Sequence, residues 1–210
     1  ISNPIICGTM IGEARPSTTV STSGAKIGDV IIMTGYMAIE GTSIIARDRF
    51  DDLLSAAVPK KQILRAQEFL YDPGISIVKD AHIALQSGKI TAMHDPTEGG
   101  LSTGLMELAL ASNVLLEIDE DQLAVRSETI DIAKVMGIDI LGLLSSGALL
   151  ITCPEVDALS VIRNLRKEGR AANVIGKVTS EKKGVVVKQS NGETVPLKLF
   201  ERDEITKLFS

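Results

Sequence analysis

One stretch of the chain, His94-Asp95-Pro96-Thr97-Glu98-Gly99-Gly100-Leu101, gathers the residue types that handle charged oxygens. An imidazole, a carboxylate and a hydroxyl stand just ahead of paired glycines. The apolar run at 90–93 before it reads as a strand, and Leu101, Leu105, Leu108 and Ala109 after it fall on one face of a helix. Gly99 and Gly100 therefore sit where a strand hands over to a helix. The first backbone N–H groups of a helix lack internal partners, and that end carries about half a positive charge. Glycines remove the side chains that would hold a ligand away from those groups, so the junction suits a phosphate or another oxyanion. His94 and Asp95 are the candidate catalytic groups, the first as donor to a phosphate or acid/base near neutral pH, the second to hold a metal–nucleotide or orient the Gly-Gly loop. Thr97 offers a hydroxyl to an oxyanion. A packing reading stands beside this one: Asp95 or Thr97 as N-cap, Pro96 as turn former, and Gly-Gly for close helix–sheet contact. On the ligand reading, Gly100→Asp is expected to abolish anion binding without unfolding the chain. Glu98 is expected in solvent, favourably placed in a first helical turn.

Two further groups are candidates for the same cleft. Glu40, Gly41 and Thr42 open a helix after the strand ending at Gly35, and Ser145 and Ser146 precede Gly147 and another strand. Both could bring hydroxyls and N–H groups to a phosphate or substrate, and both are explained equally by ordinary helix and turn starts. His82 reads as part of an amphipathic helix. The carboxylate run 117–121 lacks the glycine-punctuated pattern of a calcium loop and reads as solvated. No metal ligand set is evident.

These residues need a scaffold of alternating strands and helices. Strands are expected over 30–34, 90–93, 114–118, 148–153 and 172–178, with a hairpin of 184–188 and 193–197 around Ser190-Asn191-Gly192. Helices are expected from Glu40, over 60–70, from Asp72-Pro73 to Gly88, from Gly100 to Asn113, and over 130–136, 156–166 and 204–209. The run at 30–34 is apolar throughout, as in strands covered on both faces. The class is α+β, with α/β-like alternation: a sheet covered by helices. A strand is also expected within 4–10.

Composition narrows the functions. The chain has 210 residues, which fits one large domain or one domain plus part of another, and 44% of them are hydrophobic, enough for a real core. Only 3% are aromatic, and the net charge is -5, which argues against nucleic-acid binding. No apolar run nears the roughly 20 residues that span a bilayer. Cys7 and Cys153 lie in apolar runs and read as reduced core residues, consistent with a cytoplasmic protein.

Five blocks in order carry a family resemblance: Gly28-Asp29-Val30-Ile31-Ile32-Met33-Thr34-Gly35, Ala38-Ile39-Glu40-Gly41-Thr42, Asp95-Pro96-Thr97-Glu98-Gly99-Gly100-Leu101, Ser145-Ser146-Gly147-Ala148-Leu149-Leu150 and Ala172-Asn173-Val174-Ile175-Gly176. Over 24–178 the chain resembles the C-terminal domain of the aminoimidazole ribonucleotide (AIR) synthase superfamily, or PurM-like proteins, and is most similar to the HypE branch and its archaeal AIR synthase-related relatives. The resemblance implies a PurM-like sheet covered by helices. It implies ATP and Mg²⁺ chemistry in which an amide-like or phosphate-bearing substrate is activated by phosphoryl transfer. It also implies a homodimer, a carboxamide or other small substrate, and a maturation partner protein. Residues 1–23 would be the last strands of an otherwise missing N-terminal ATP-binding domain, 24–180 the C-terminal domain, and 181–210 a closing hairpin and helix. The chain has no cysteine after Cys153, whereas HypE proteins end in a Pro-Arg-x-Cys tail, so HypE's reaction on its own tail is not expected here. A non-catalytic binding or dimerisation module that has lost the nucleotide-binding half is the alternative.

Overall fold

Ile31, Ile32 and Met33 are successive residues of one strand, and all three are at most 1% exposed. Side chains alternate across a strand, so both faces of the sheet must be covered at that point. They are. The computed structural model describes residues 7–9, 11–13, 19–180 and 182–209. Its strands are β1 (Asp29–Thr34), β2 (Ala92–His94), β3 (Leu115–Asp119), β4 (Leu149–Pro154), β5 (Ala172–Ser180), β6 (Gly184–Lys188) and β7 (Thr194–Pro196). They form one sheet in the order β2-β4-β1-β5-β3-β6-β7. Every neighbouring pair is antiparallel except β3 with β6. The expected 184–197 hairpin is present as β6 and β7, and its first strand enters the sheet beside β3 rather than standing apart.

The helices are α1 (Ile39–Asp48), α2 (Phe50–Ser55), α3 (Lys60–Gln67), α4 (Val78–Ser87), α5 (Gly100–Ser112), α6 (Ser127–Met136) and α7 (Glu155–Lys167). On one face Ile31, Met33, Leu150, Leu116 and Ile118 pack with Ile45, Ile63, Leu105, Leu108 and Ile132 of α1, α3, α5 and α6. On the other, Ile32, Leu149 and Ile151 pack with Ala84 of α4 and Val161 and Leu165 of α7. The protein is thus an α+β domain in three layers, with the sheet in the middle. No helix among the described residues is long and apolar enough to cross a membrane.

Local expectations need four corrections. Asp72-Pro73 does not cap a helix; it lies in a turn, and α4 begins only at Val78. The 117–121 run is not one solvated loop, because Glu117 belongs to β3 and pairs with Lys177 of the neighbouring β5 at 3.2 Å. Cys153 is in the core but Cys7 is exposed. The short helix α2 had no periodic signal of its own. The strand expected within 4–10 lies mostly outside the described residues, and residues 7–9 form no strand.

Candidate functional site

Each candidate block follows a strand, starts a helix or leads into a strand at the same end of the sheet, and they meet at the loop 139–147. The Thr97 carbonyl accepts the N–H groups of both Gly100 and Ser145, each at 3.1 Å. The Ser145 hydroxyl, fully buried, accepts the Ala38 N–H at 2.9 Å, and Gly41 N–H donates to the Leu144 carbonyl at 3.1 Å. Thr42 Oγ1 donates to the Ala38 carbonyl at 2.6 Å and lies 3.0 Å from Thr129 Oγ1 of α6. The starts of α1 and α5 are thereby bolted to one loop. Gly41, Thr42 and Ser145 build this junction; their polar groups point into the protein. Ser146 is half-buried beside them.

The α5 start departs from the expected open cradle. Gly99 has φ +76° and Gly100 φ +67°, the left-handed region that glycine tolerates. The Gly99 N–H does not face solvent: it donates to Asp203 Oδ2 at 2.7 Å. The other oxygen of Asp203 accepts the N–H groups of Leu144 at 3.3 Å and Ile205 at 2.9 Å. A carboxylate from the far end of the chain therefore already sits at the positive end of α5, whose own N-cap supplies no side-chain bond. Gly100 is buried, and a Cβ there would lie 2.5 Å from the Leu141 carbonyl and 2.7 Å from that of Leu143. The expectation for Gly100→Asp is corrected accordingly: the change strikes backbone and unsettles the fold, so it cannot isolate anion binding.

His94 ends β2 with both ring nitrogens engaged, Nδ1 with Thr22 Oγ1 at 3.2 Å and Nε2 with Glu107 Oε2 at 2.8 Å. Asp95 and Thr97 have exposed side chains, and Asp95 has no partner among the described residues. Neither caps α5. Glu98 is exposed as expected. Glu40 is half-buried in the first turn of α1, and its Oε2 is shut from solvent without a hydrogen bond. Nearby in sequence, Tyr36 carries the Arg126 guanidinium over its ring at 4.1 Å, with Arg126 Nε also buried and unpartnered. Asp95 and Thr97 are thus open to a ligand, whereas Glu40 keeps one carboxylate oxygen enclosed and unpartnered.

Sequence reasoning missed two supporting groups. Asp80 of α4 is fully buried, with Arg170 Nε 2.8 Å from one carboxylate oxygen and 3.0 Å from the other, and it accepts the Thr34 hydroxyl at 2.6 Å. Arg170 also donates to the carbonyls of Gly147 at 3.3 Å and Pro73 at 3.2 Å, clamping the second end of the 139–147 loop. The other group is the C-terminal strap, residues 197–208. Glu204 Oε2 accepts the Asp139 N–H at 3.0 Å, Ser102 donates to the Lys198 carbonyl, and Lys198 Nζ meets Asp139 Oδ2 at 2.7 Å. Between the strap, α6 and residues 137–141 runs a groove of 640 Å³ with an apolar floor including Leu105, Ile118 and Ala133. These charged residues belong to no motif that the sequence displays; only Asp203, at the start of the closing helical turn, carries a local cue, as an N-cap. No cluster of three or more His, Cys, Asp or Glu side chains able to hold a metal occurs among the described residues. The described residues therefore do not fit a self-contained Mg²⁺ site.

Fold and loop convergence define an α+β domain of the PurM-like type. The chain belongs to the family described as AIR synthase related protein, C-terminal domain, which it matches over residues 26–189. It is 28% identical over 201 residues to a putative hydrogenase expression/formation protein of Methanocaldococcus jannaschii, covering 93% of this chain and 55% of that protein. It is 28% identical over 182 residues to the carbamoyl dehydratase HypE of Rhodobacter capsulatus, covering 84% of this chain and 49% of the relative. The chain spans about half the length of these curated relatives. A solved HypE in complex with ATP superposes with a TM-score of 0.67 at 22% identity, over 92% of this chain and 57% of that one. HypE in a HypE–HypF complex superposes with a TM-score of 0.63 at 23% identity, over 87% and 55%. At these identities the two structures show the shared fold.

Proposed function

We propose that this chain works as the C-terminal half of an ATP-dependent enzyme of the AIR synthase/HypE type. In this reading the γ-phosphoryl group of ATP passes to the oxygen of an amide-like substrate, or a phosphate-bearing substrate is bound and activated, and ADP leaves. The observation that carries it is the convergence of the family blocks on one loop, with Asp95 and Thr97 exposed beside it and Glu40 half-buried with an unpartnered carboxylate oxygen. Phosphoryl transfer demands mainly positioning and charge neutralisation, which backbone donors and a few polar side chains supply. Glu40 and Asp95 would orient the substrate or its counter-ion, and Thr97 would donate its hydroxyl to an oxyanion. His94, tied to Thr22 and Glu107, would act by holding the end of β2 and the loop after it. Gly99 and Gly100 would keep the α5 start clear of side chains beside a bound phosphate, their own N–H groups being held by Asp203 and the Thr97 carbonyl. Ser145, Ser146, Gly41 and Thr42 would keep the two helix starts in register. ATP and HypF stand in the names of related HypE structures, and both are carried here as part of the proposal, as are a homodimer and a cytoplasmic location. Mg²⁺ would have to come with the nucleotide, and no step is assigned to it.

A second reading, a non-catalytic binding or dimerisation module, has one specific observation in its favour: the Gly99 and Gly100 N–H groups are both satisfied within the chain. Calorimetric titration of the native protein with Mg-ATP, alongside its intact mass, separates the two. Saturable binding that weakens in Asp95→Asn and Glu40→Gln supports the enzyme. Binding indifferent to both moves the site elsewhere, and no binding at all favours the module.

A further inference from the structure

We propose that the groove between α5, α6 and the C-terminal strap is a preformed site for a small amphiphile with an apolar body and one anionic head, of which a medium-chain carboxylate is the simplest form. The site stands apart from the nucleotide reading, since none of Asp95, Thr97 and Glu40 lines it. Its 640 Å³ falls within the range of about 300–1,000 Å³ common to small-molecule pockets. The sheet and α5 close its bottom with Ile118 and Leu105, each at most 1% exposed. Apolar surface stays open above them: Leu123, Val125 and Ile140 are half-buried, and Ile130 is 49% exposed. Ile130, Ala133, Lys134 and Gly137 fall at i, i+3, i+4 and i+7 of α6 and its cap, so one stripe of that helix faces the groove. No lining side chain among the described residues holds a buried polar atom without a hydrogen bond, so the interior suits an apolar body.

The strap makes the groove a fixed one. The Phe200 ring lies against Gly142, where an added Cβ would come within 2.6 Å of it. Ile205 and Leu208 pack against the core, and buried Glu204 accepts the Asp139 N–H at 3.0 Å. Leu197, Lys198, Glu204 and Lys207 form this wall and lie beyond 26–189, so the site is completed from outside the family domain. Charges at the mouth select the head. Three exposed lysines line the groove, Lys134, Lys198 and Lys207. An ammonium carries three donors. Lys198 gives one to Asp139 Oδ2 at 2.7 Å, Lys207 gives one to Glu204 Oε2 at 2.6 Å, and Lys134 has no ion-pair partner among the described residues. The carboxylates are more fully engaged. Asp139 Oδ1 also accepts the Leu141 N–H at 3.1 Å, and Glu204 Oε2 holds the Asp139 N–H as well as Lys207. Among the lining acids only Glu120 is exposed. Cationic donors in excess over free acceptors, at the mouth of an apolar groove, match an anion with an apolar tail.

The test is calorimetric titration of the 210-residue chain with octanoate, decanoate and decyltrimethylammonium, each below its micelle concentration. It is run on wild type, Ile130→Asn, Lys134→Glu and Lys134→Arg. Both positions are exposed on α6, so the variants are expected to fold, and thermal unfolding alongside checks this. Decanoate is expected to saturate a single site and to bind about tenfold more tightly than octanoate, because two more methylenes leave water. The cation of equal chain length is expected to bind about tenfold more weakly or worse. Ile130→Asn and Lys134→Glu should each weaken decanoate about fivefold or more, while Lys134→Arg, which keeps the charge, should stay near wild type. No saturable decanoate binding in wild type overturns the site. Equal affinity for octanoate and decanoate, equal affinity for the cation, or decanoate binding untouched by Ile130→Asn or by Lys134→Glu overturns it as well.

Discussion

Gly100 and Gly137 share a backbone conformation, φ +67° in each, and differ in their surroundings. An added Cβ at Gly137 meets nothing within 4 Å, whereas at Gly100 it lies 2.5 Å, 2.7 Å and 2.8 Å from Leu141 O, Leu143 O and Gly142 C. Alanine at each position therefore isolates the cost of space from the cost of conformation. The left-handed conformation costs a non-glycine residue about 1–2 kcal/mol. Loss of glycine's freedom in the unfolded chain returns about 0.4–1 kcal/mol. Gly137→Ala is expected to destabilise by about 1 kcal/mol on that balance. Gly100→Ala adds overpacking of about 1–3 kcal/mol, at the upper end because backbone rather than a flexible side chain must move, for a total of about 3–4 kcal/mol. Urea unfolding of both variants with unchanged m-values gives the comparison. A difference below about 1 kcal/mol would refute the claim that α5 starts in backbone contact with the 141–143 loop. It would also reopen the space before Gly100 to a ligand.

Three further outcomes are expected. Asp80→Asn leaves the Arg170 charge buried without its partner and should cost about 3–5 kcal/mol in chemical denaturation; a loss under about 1 kcal/mol would mean that the clamp is not formed in solution. In the native protein a thiol reagent at pH 8 should modify Cys7 quickly and Cys153 only on unfolding, because burial, and then the charges of Asp157 and Asp29, push the Cys153 thiol from 9.0 up to about 12. The native state thus holds that proton more tightly than the unfolded chain, so the contribution is fully present below pH 9 and is lost as pH rises towards 12; a Cys153→Ala variant should show a flatter stability profile across that window. Thr34→Val removes the hydroxyl that donates to Asp80 at 2.6 Å and should cost about 1–3 kcal/mol, checked by thermal unfolding against the Asp80→Asn variant, with which it should be non-additive.

The sequence alone determined the scaffold and the location of the blocks. Strand β1 was legible because four consecutive apolar residues, Val30 to Met33, lying between Gly28 and Gly35 admit few other structures. Helix α5 was legible because its apolar spacing starts at Gly100 and stops at Asn113, which takes the left-handed conformation at the helix end. These signals are local: periodicity, caps and glycines act within a turn or two of themselves. Tertiary structure decided what the blocks do to one another. Asp203 reaches Gly99 across 104 residues of chain, and Arg170 reaches Asp80 across 90. Neither contact leaves a trace in the neighbouring sequence, because a charged residue looks the same whether it is solvated or serves a buried partner. The Gly-Gly junction shows the division plainly. Its residue types announce free N–H donors at a helix start, and only the folded chain brings up the carboxylate that takes one of them.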